Sequence, residues 1–301
     1  MSALPTTGEL FATNQVSPDT ERSYKYQLRS FARWMENERG ASEIEDVTAV
    51  DLLAYKQSLA HLSPTTQKRY MATIRSFFKW ARESGLIDTD PAAGVKLPRA
   101  MQGQAPTFFT LDETRALIAS VQTGRYGKRD AAMLWCFAHG LRVAEVATLN
   151  VGDVIQPENG GMAALRVRGK GSKARRVPLL MDGYRAVTAY IGDRVGADTE
   201  PLLTCTYRGR TGRRMSRAGI QERFLVLATR AGIPDNKRHP HCMRHGFATR
   251  MLFESSVPGG IYTVSKLLGH SRVATTEVYL HCSHKQLEQA MLADPLGAGV
   301  Y

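Results

Sequence analysis

Apolar side chains recur at helical spacing through the first hundred residues. Ser17-Pro18 supplies a cap and a first turn, Tyr24, Leu28, Phe31 and Trp34/Met35 follow on one face, and Gly40 stops the run. Thr48 opens a second helix that continues to about Leu59. Ser63-Pro64 opens a third, with Tyr70, Ile74, Phe77, Phe78 and Ala81 on one face and Gly85 past its end. These aromatic stripes read as core, not as platforms for stacked bases. A short fourth helix is expected near Asp90.

The helical period disappears over residues 94–109, which hold two Pro and two Gly and read as a linker. Thr110 and Glu113 then form a capping box. It starts helices at about 111–121 and 128–139, the second closed by His139-Gly140. The period next changes from helical to alternating. Val151–Ile155, Ala163–Arg168 and Arg175–Leu179 are β-rich and separated by the turn formers of 157–161 and 169–172. They predict a small antiparallel sheet with a hairpin whose tip carries Lys170. Helices resume at about 182–194, 216–231, 241–253, 263–268 and 275–281, with a terminal helix from about 285 to 293. The predicted fold is mainly α with a small antiparallel β-sheet. It has two domains, a helical bundle over 1–93 and an α+β domain over 110–301.

With 43% hydrophobic and 23% charged residues, the 301-residue chain has the apolar material for real cores, which excludes wholesale disorder. No run approaches the roughly 18 apolar residues of a membrane span. The start Met1–Pro5 has no signal-peptide apolar stretch, and four scattered cysteines make no disulfide framework. A cytoplasmic protein is the expectation, with no membrane partner.

The net charge of +12 is uneven. Residues 1–100 carry 13 basic and 12 acidic side chains, whereas residues 101–301 carry 27 and 16. Arg166, Arg168, Lys170, Lys173, Arg175 and Arg176 fall within eleven residues without an acid. Arg208, Arg210, Arg213, Arg214 and Arg217 do so within ten. Such clusters either form a solvated basic face or attract a polyanion. Arg outnumbers Lys 21 to 6 in this part, which favours forked phosphate contacts and hence nucleic acid.

Three short segments suit attack on a phosphodiester. In His139-Gly140-Leu141-Arg142-Val143-Ala144-Glu145, Arg142 starts a helix, where its guanidinium and free backbone N–H groups can face one anion. A plain Arg142–Glu145 pair is the alternative. In His241-Cys242-Met243-Arg244-His245, His241 and Arg244 share a helix face. The same stretch with His239, or the group His281, Cys282 and His284, offers zinc ligands, but neither has a recognised four-ligand spacing. Leu267-Leu268-Gly269-His270 is followed nine residues later by Tyr279. A tyrosine, with its free pKa of about 10, is a nucleophile only among cations that hold the reacting phosphate and groups that manage its proton. Arg142, Lys170, His241, Arg244 and His270 would supply these without a metal or cofactor.

Gly-Leu-Arg142, Gly-Lys170-Gly, His241-x-x-Arg244, Leu-Gly-His270 and Tyr279, in this order, make the chain resemble the tyrosine recombinase (phage integrase) family, specifically its Xer-like and short integrase members. The resemblance covers nearly the whole chain. It implies a helical core-binding domain joined to an α+β catalytic domain whose C-terminal helix docks on a neighbouring subunit; Leu287, Ala290, Met291 and Leu292 offer that face here, the alternative being a helix folded back on its own domain. By the same resemblance Arg142 and Arg244 clamp the scissile phosphate, and Tyr279 forms a 3′-phosphotyrosine link. Lys170 protonates the leaving 5′-oxygen, His241 is base or relay, His270 donates to the phosphate, and Glu145 orients the site. Lys173, three residues from Lys170, is the other candidate acid.

The implied activity is site-specific recombination of double-stranded DNA through a Holliday junction, by a homo-tetramer on two DNA sites or together with a second recombinase. Multimer resolution and mobile-element integration or excision are both open, and the direct start with the helical part points to the simpler Xer-like role. DNA contacts are expected from Gln67, Lys68, Arg69 and Arg75 on the third helix, and from Lys173, Arg175, Arg213 and Arg214. Two rivals share the fold or the chemistry: a DNA-binding regulator that does not cut, and a type IB topoisomerase. A metal-dependent nuclease fits less well, because the chain offers no carboxylate cluster for Mg²⁺.

Overall fold

A computed structural model describes residues 3–14, 18–98, 107–122, 126–158, 160–169, 174–192, 198–206, 211–253 and 260–269. The chain divides into two compact units, residues 1–103 and 104–301. Lys170, Lys173, His270 and Tyr279 lie outside the described residues, as do the helices expected after residue 270. No described helix is long and apolar enough to cross a membrane.

The first unit holds α1 (Leu4–Thr13), α2 (Pro18–Arg39), α3 (Ala49–Ser58) and α4 (Pro64–Glu83). Thr48 caps α3 by accepting from the Asp51 N–H, while the Asp51 carboxylate takes the Thr48 N–H at 3.0 Å. Ser63 caps α4, with Pro64 in its first turn. Phe31, Met35, Leu52, Met71, Ile74, Phe77 and Phe78 are fully buried, so the aromatic stripes are core. Inside that apolar packing Thr73 donates to the Gln27 carbonyl oxygen at 2.6 Å, giving each buried polar group a partner across α2 and α4.

Helix α1 has too few residues to be read by period alone. It forms because Leu4, Phe11 and Ala12 are buried and Gly8 lets α2 approach: a Cβ there would lie 3.3 Å from Leu28 Cβ. No helix forms near Asp90, where the carboxylate instead accepts the Ala92 N–H at 2.8 Å in a turn. Val95, at the start of the expected linker, belongs to the core of this unit, and Phe109 at its end is fully buried in the core of the second.

The second unit contains α5 (Leu111–Ala119), α6 (Gly127–Ala138), α7 (Val143–Thr148), β1 (Val154–Ile155), β2 (Ala164–Arg168), β3 (Ala174–Pro178), α8 (Met181–Ile191), α9 (Arg217–Arg230), α10 (Pro240–Phe253) and α11 (Gly260–Leu268). The strands form an antiparallel sheet in the order β1-β2-β3. β1 is only two residues long, because Val151–Asp153 coil into a 3₁₀ turn whose Asp153 carboxylate takes the Asn150 N–H. In the β2–β3 register Leu165 faces Val177 and Val167 faces Arg175, while Arg166 faces Arg176 on the other side. Leu165, Val167 and Val177 enter the core, and Arg166, Arg168 and Arg176 are exposed. α10 is fixed against the strand-like start of the unit: Phe109 N–H donates to the Cys242 carbonyl at 3.1 Å, and Gly246 leaves room for Phe109, whose oxygen would lie 2.3 Å from a Cβ there. α9 is held on α6 by buried Asp130, which accepts from both Arg129 and Arg223.

Candidate active site

Gly140, at φ +80, ends α6 in the left-handed region and turns the chain so that Arg142 becomes the N-cap residue of α7. Its N–H is one of the orphan donors of that helix start, and Glu145, three residues on, accepts it at 2.8 Å. The Glu145 carboxylate also accepts from the Arg142 guanidinium at 2.9 Å and from both terminal nitrogens of Arg175, at 2.8 and 3.0 Å. Arg244 stands 3.8 Å from the same carboxylate. One buried acid therefore lies among three arginines drawn from α7, β3 and α10.

Burial works against ionisation of Glu145, but the bonds and charge of Arg175, then the backbone and charge of Arg142, outweigh it and hold its pKa below the ordinary value. The carboxylate is charged at neutral pH, which permits the three cations to sit so close.

The other shared acceptor is the C-terminus of α11. Leu268 carbonyl oxygen accepts from Arg142 at 3.2 Å and from Arg244 at 2.7 Å, and Leu267 carbonyl oxygen accepts from Arg175 Nε at 2.9 Å. Cations at a helix C-terminus meet the negative end of its dipole and satisfy its unpaired carbonyls. Arg244 also donates a short bond to the Gly140 carbonyl. Gly269 follows at φ +66, and a Cβ there would lie 2.7 Å from the Arg175 guanidinium. A side chain at position 269 would therefore be strained by the left-handed backbone and would have to displace the Arg175 guanidinium.

The two expected clamp arginines differ in access: the Arg142 side chain is 36% exposed and that of Arg244 only 1%. Arg142 offers an open guanidinium at a helix N-terminus, and Arg244 supplies charge from behind. His241 on α10 reaches solvent. Surrounding protein mass, then the charges of Arg244, His239 and Arg142, hold its pKa below the ordinary histidine value, so it is neutral and basic at pH 7. Its ring packs edge-on against His245 at 4.2 Å. Among the described residues no group of three or more His, Cys, Asp or Glu is placed to hold a metal ion. Of the zinc alternatives, His239 contacts Cys242 at 3.2 Å, while His281, Cys282 and His284 lie outside the described residues.

The candidate DNA contacts divide. Lys68, Arg69, Arg75 and Arg213 are exposed. Gln67 is half-buried and donates to the Leu62 carbonyl at 2.8 Å. Arg175 is not an outward phosphate contact: the register turns it to the core face, and all three of its nitrogens bond Glu145 or Leu267. Arg214 is exposed as well, but its guanidinium is engaged, donating to the carbonyls of Ala147 at 3.1 Å and Leu149 at 2.8 Å and to Asn150 at 2.5 Å. Strand alternation carried the signal for Arg175, which stands two residues before the buried Val177. His139 is a further residue that the motifs did not assign. It is buried, approaches Trp135 carbonyl oxygen at 2.7 Å through Nδ1, and accepts the Leu180 N–H at 2.9 Å through Nε2. It thereby joins the end of α6, just before Arg142, to the start of α8.

Residues 107–286 match the model of the phage integrase family, and residues 7–85 match that of the phage integrase N-terminal SAM-like domain. Among curated proteins, tyrosine recombinase XerD of Bifidobacterium longum is 33% identical over 91% of this chain and 90% of its own length. Tyrosine recombinase XerC of Serratia marcescens is 32% identical over 91% and 87%. Among solved structures, the XerH site-specific recombinase bound to difH substrate superposes with a TM-score of 0.70 at 20% identity, covering 95% of this chain and 88% of that one. The Tn1549 transposon integrase in complex with circular intermediate DNA gives 0.71 at 19% identity, covering 97% and 99%. These two likenesses are of fold.

Proposed function

The chain belongs to the phage integrase family, and from that premise we propose that it is a site-specific DNA recombinase working through a tyrosine–DNA link. The observation that carries this reading is the convergence of Arg142 and Arg244 on the Leu268 carbonyl around ionised Glu145. A cradle that holds two cations about one oxygen, immediately before His270 in the sequence, suits a phosphodiester whose charge grows in the transition state. Similarity to XerC, XerD and DNA-bound recombinases supports the same substrate.

In this reading Tyr279 Oη attacks the phosphorus and the P–O5′ bond breaks. The product is a 3′-phosphotyrosine and a free 5′-hydroxyl. His241, neutral at pH 7, takes or relays the tyrosine proton, and Lys170, with Lys173 as the neighbouring candidate, gives a proton to the leaving oxygen. Arg142 and Arg244 stabilise the charge on the non-bridging oxygens, with His270 as a further donor. The covalent link conserves the phosphodiester, so a 5′-hydroxyl from a second duplex can attack it in reverse and exchange the strands. Exchange between two sites needs four such subunits, hence a homo-tetramer on two DNA sites, with or without a second recombinase.

The test is to incubate the protein with fragments of its source DNA in EDTA, denature with SDS and look for protein joined to DNA, with Tyr279→Phe alongside. A wild-type adduct absent from the variant is expected, and sequencing the trapped ends gives the site. Sequence-selective binding without an adduct, even after host extract is added, would overturn the reading in favour of a regulator. An adduct spread over unrelated sequences would favour a topoisomerase.

A further inference from the structure

We propose that Arg175 is a positioning residue for this reaction, acting through Glu145 and the end of α11 without touching DNA. The inference rests on the proposed function, and its geometry is specific. Arg175 holds Glu145 with a two-pronged fork at 2.8 and 3.0 Å, and its third nitrogen holds the Leu267 carbonyl at 2.9 Å. Its side chain is only 14% exposed. A planar guanidinium can make these three bonds at fixed mutual angles; an ammonium cannot.

Of the two partners of Arg175, Glu145 is shared with the clamp arginines and the Leu267 carbonyl adjoins their other acceptor. Glu145 orients Arg142 through its guanidinium and its N–H, and stands beside Arg244. The carbonyl next to Leu267, that of Leu268, receives both Arg142 and Arg244. Removal of Arg175 leaves the carboxylate free to rotate toward Arg142, and it frees the last turn of α11 on which the Leu268 acceptor sits. Both movements shift the cations that face the phosphate. A Cβ at Gly269 would overlap the guanidinium, so the lack of a side chain there lets Arg175 keep its place against the end of α11.

Arg175 follows the hairpin tip by only a few residues in the sequence, and by composition alone it belongs to the basic cluster of 166–176. Its neighbour Arg176, opposite Arg166 on the exposed sheet face, is the outward contrast. A phosphate contact and a positioning residue predict different kinetics. Loss of a phosphate contact weakens binding and lowers the salt slope by about one, with little effect once DNA is saturated. Loss of a positioning residue leaves affinity and slope intact and slows the step at saturation.

The experiment compares wild type, Arg175→Ala, Arg175→Lys and Arg176→Ala on the DNA site trapped by the wild type. It measures affinity across a salt series, single-turnover adduct formation at saturating protein, and thermal unfolding. Arg175→Ala is expected to slow adduct formation on the order of a hundredfold, the scale of an ångström-sized misplacement, with affinity and salt slope unchanged. Arg175→Lys keeps the charge, loses the fork and falls between. Arg176→Ala should weaken binding and leave the saturated rate alone. The proposal is overturned if Arg175→Ala lowers affinity and salt slope at an unchanged saturated rate. It is also overturned if rate and affinity fall together with the folded fraction, or if Arg175→Lys equals wild type. Absence of an adduct from the wild type overturns the proposed function itself, a different result from a wild-type adduct formed equally fast by the variants.

Discussion

Arg142 and Arg244 meet on one oxygen atom, the carbonyl of Leu268 at the end of α11. Two guanidiniums converge there because Glu145 supplies a compensating charge and the helix end supplies unpaired acceptors. The cationic cluster is thus assembled from residues that are distant in sequence.

Their unequal burial predicts unequal consequences. On the proposed mechanism, either substitution to Ala is expected to slow single-turnover adduct formation by roughly a hundredfold or more. Arg244 is also a fully buried structural tie to Gly140 and Leu268, so Arg244→Ala should cost about 3 kcal/mol of stability. Arg142→Ala, on a partly open side chain, should cost well under half of that. Urea unfolding beside the adduct assay separates the two effects. Equal losses of stability would contradict the structure.

Glu145→Gln keeps the shape and removes the charge among three cations. A loss of roughly 2 kcal/mol is expected at pH 7, short of the full value for a buried pair because Arg142 retains water. The folded pKa lies below the unfolded value of 4.5. The stabilisation is therefore complete above that value and is lost as pH falls through the folded pKa. Urea midpoints should differ between wild type and variant by a constant amount near neutrality, and converge below about pH 4.5. A gap that persists at low pH would mean that the carboxylate's charge is not what holds the cluster.

Buried His139 makes its two bonds only as the neutral tautomer that carries its proton on Nδ1, donating to Trp135 and accepting from Leu180. Burial, then the charge of Arg250, lowers its pKa against the raising effect of the Trp135 carbonyl. A histidine with a depressed folded pKa is stabilising above its unfolded value, and the contribution falls as pH drops from there toward the folded pKa. His139→Leu should be less stable than wild type by about 1 kcal/mol at pH 8, through the loss of the Leu180 N–H acceptor and of the ring's bond to the Trp135 carbonyl, which keeps its backbone partner. The gap should narrow on acidification below about pH 6.5. Thermal melts of both proteins across pH test this, and a gap that widens would refute the assigned tautomer.

Much of this was legible in the sequence because local signals act locally. Thr48, Ser63 and the Thr110–Glu113 box start helices where side-chain oxygens meet orphan N–H groups, whatever the tertiary setting. Gly140 closes α6 for the same kind of reason. α1 was not legible, because its order depends on Gly8 admitting Leu28 from another helix. The stretch after Asp90 reads as a short helix and is a turn, because the Asp90 carboxylate competes for the Ala92 N–H. In the candidate site the arginines and Glu145 could be named from motif and spacing, but the acceptor they share could not: a backbone carbonyl of Leu268 has no signature in a side-chain pattern. Arg175 and Arg214 were both read outward because basic clusters carry no direction. Only the strand register for the first, and the bonds to Ala147, Leu149 and Asn150 for the second, show which way the charge points.

That distinction between adjacent arginines gives the sharpest contrast on the surface of the second unit. Arg213 and Arg214 are both exposed, but Arg214 also fastens the segment ahead of α9 to the carbonyls of Ala147 and Leu149 at the end of α7. If Arg213 meets a phosphate, Arg213→Ala should weaken DNA binding and reduce the slope of log affinity against log salt by about one, because one fewer counterion is released. Arg214→Ala should leave that slope unchanged and destabilise the fold by on the order of 1 kcal/mol, since its bonds to Ala147, Leu149 and Asn150 are lost while the Leu149 carbonyl keeps the Leu202 N–H. Salt-dependent binding isotherms together with urea unfolding of both variants decide the matter. A slope change in Arg214→Ala with normal stability would mean that its guanidinium leaves those carbonyls for DNA, and that the clamp on them is not its working state.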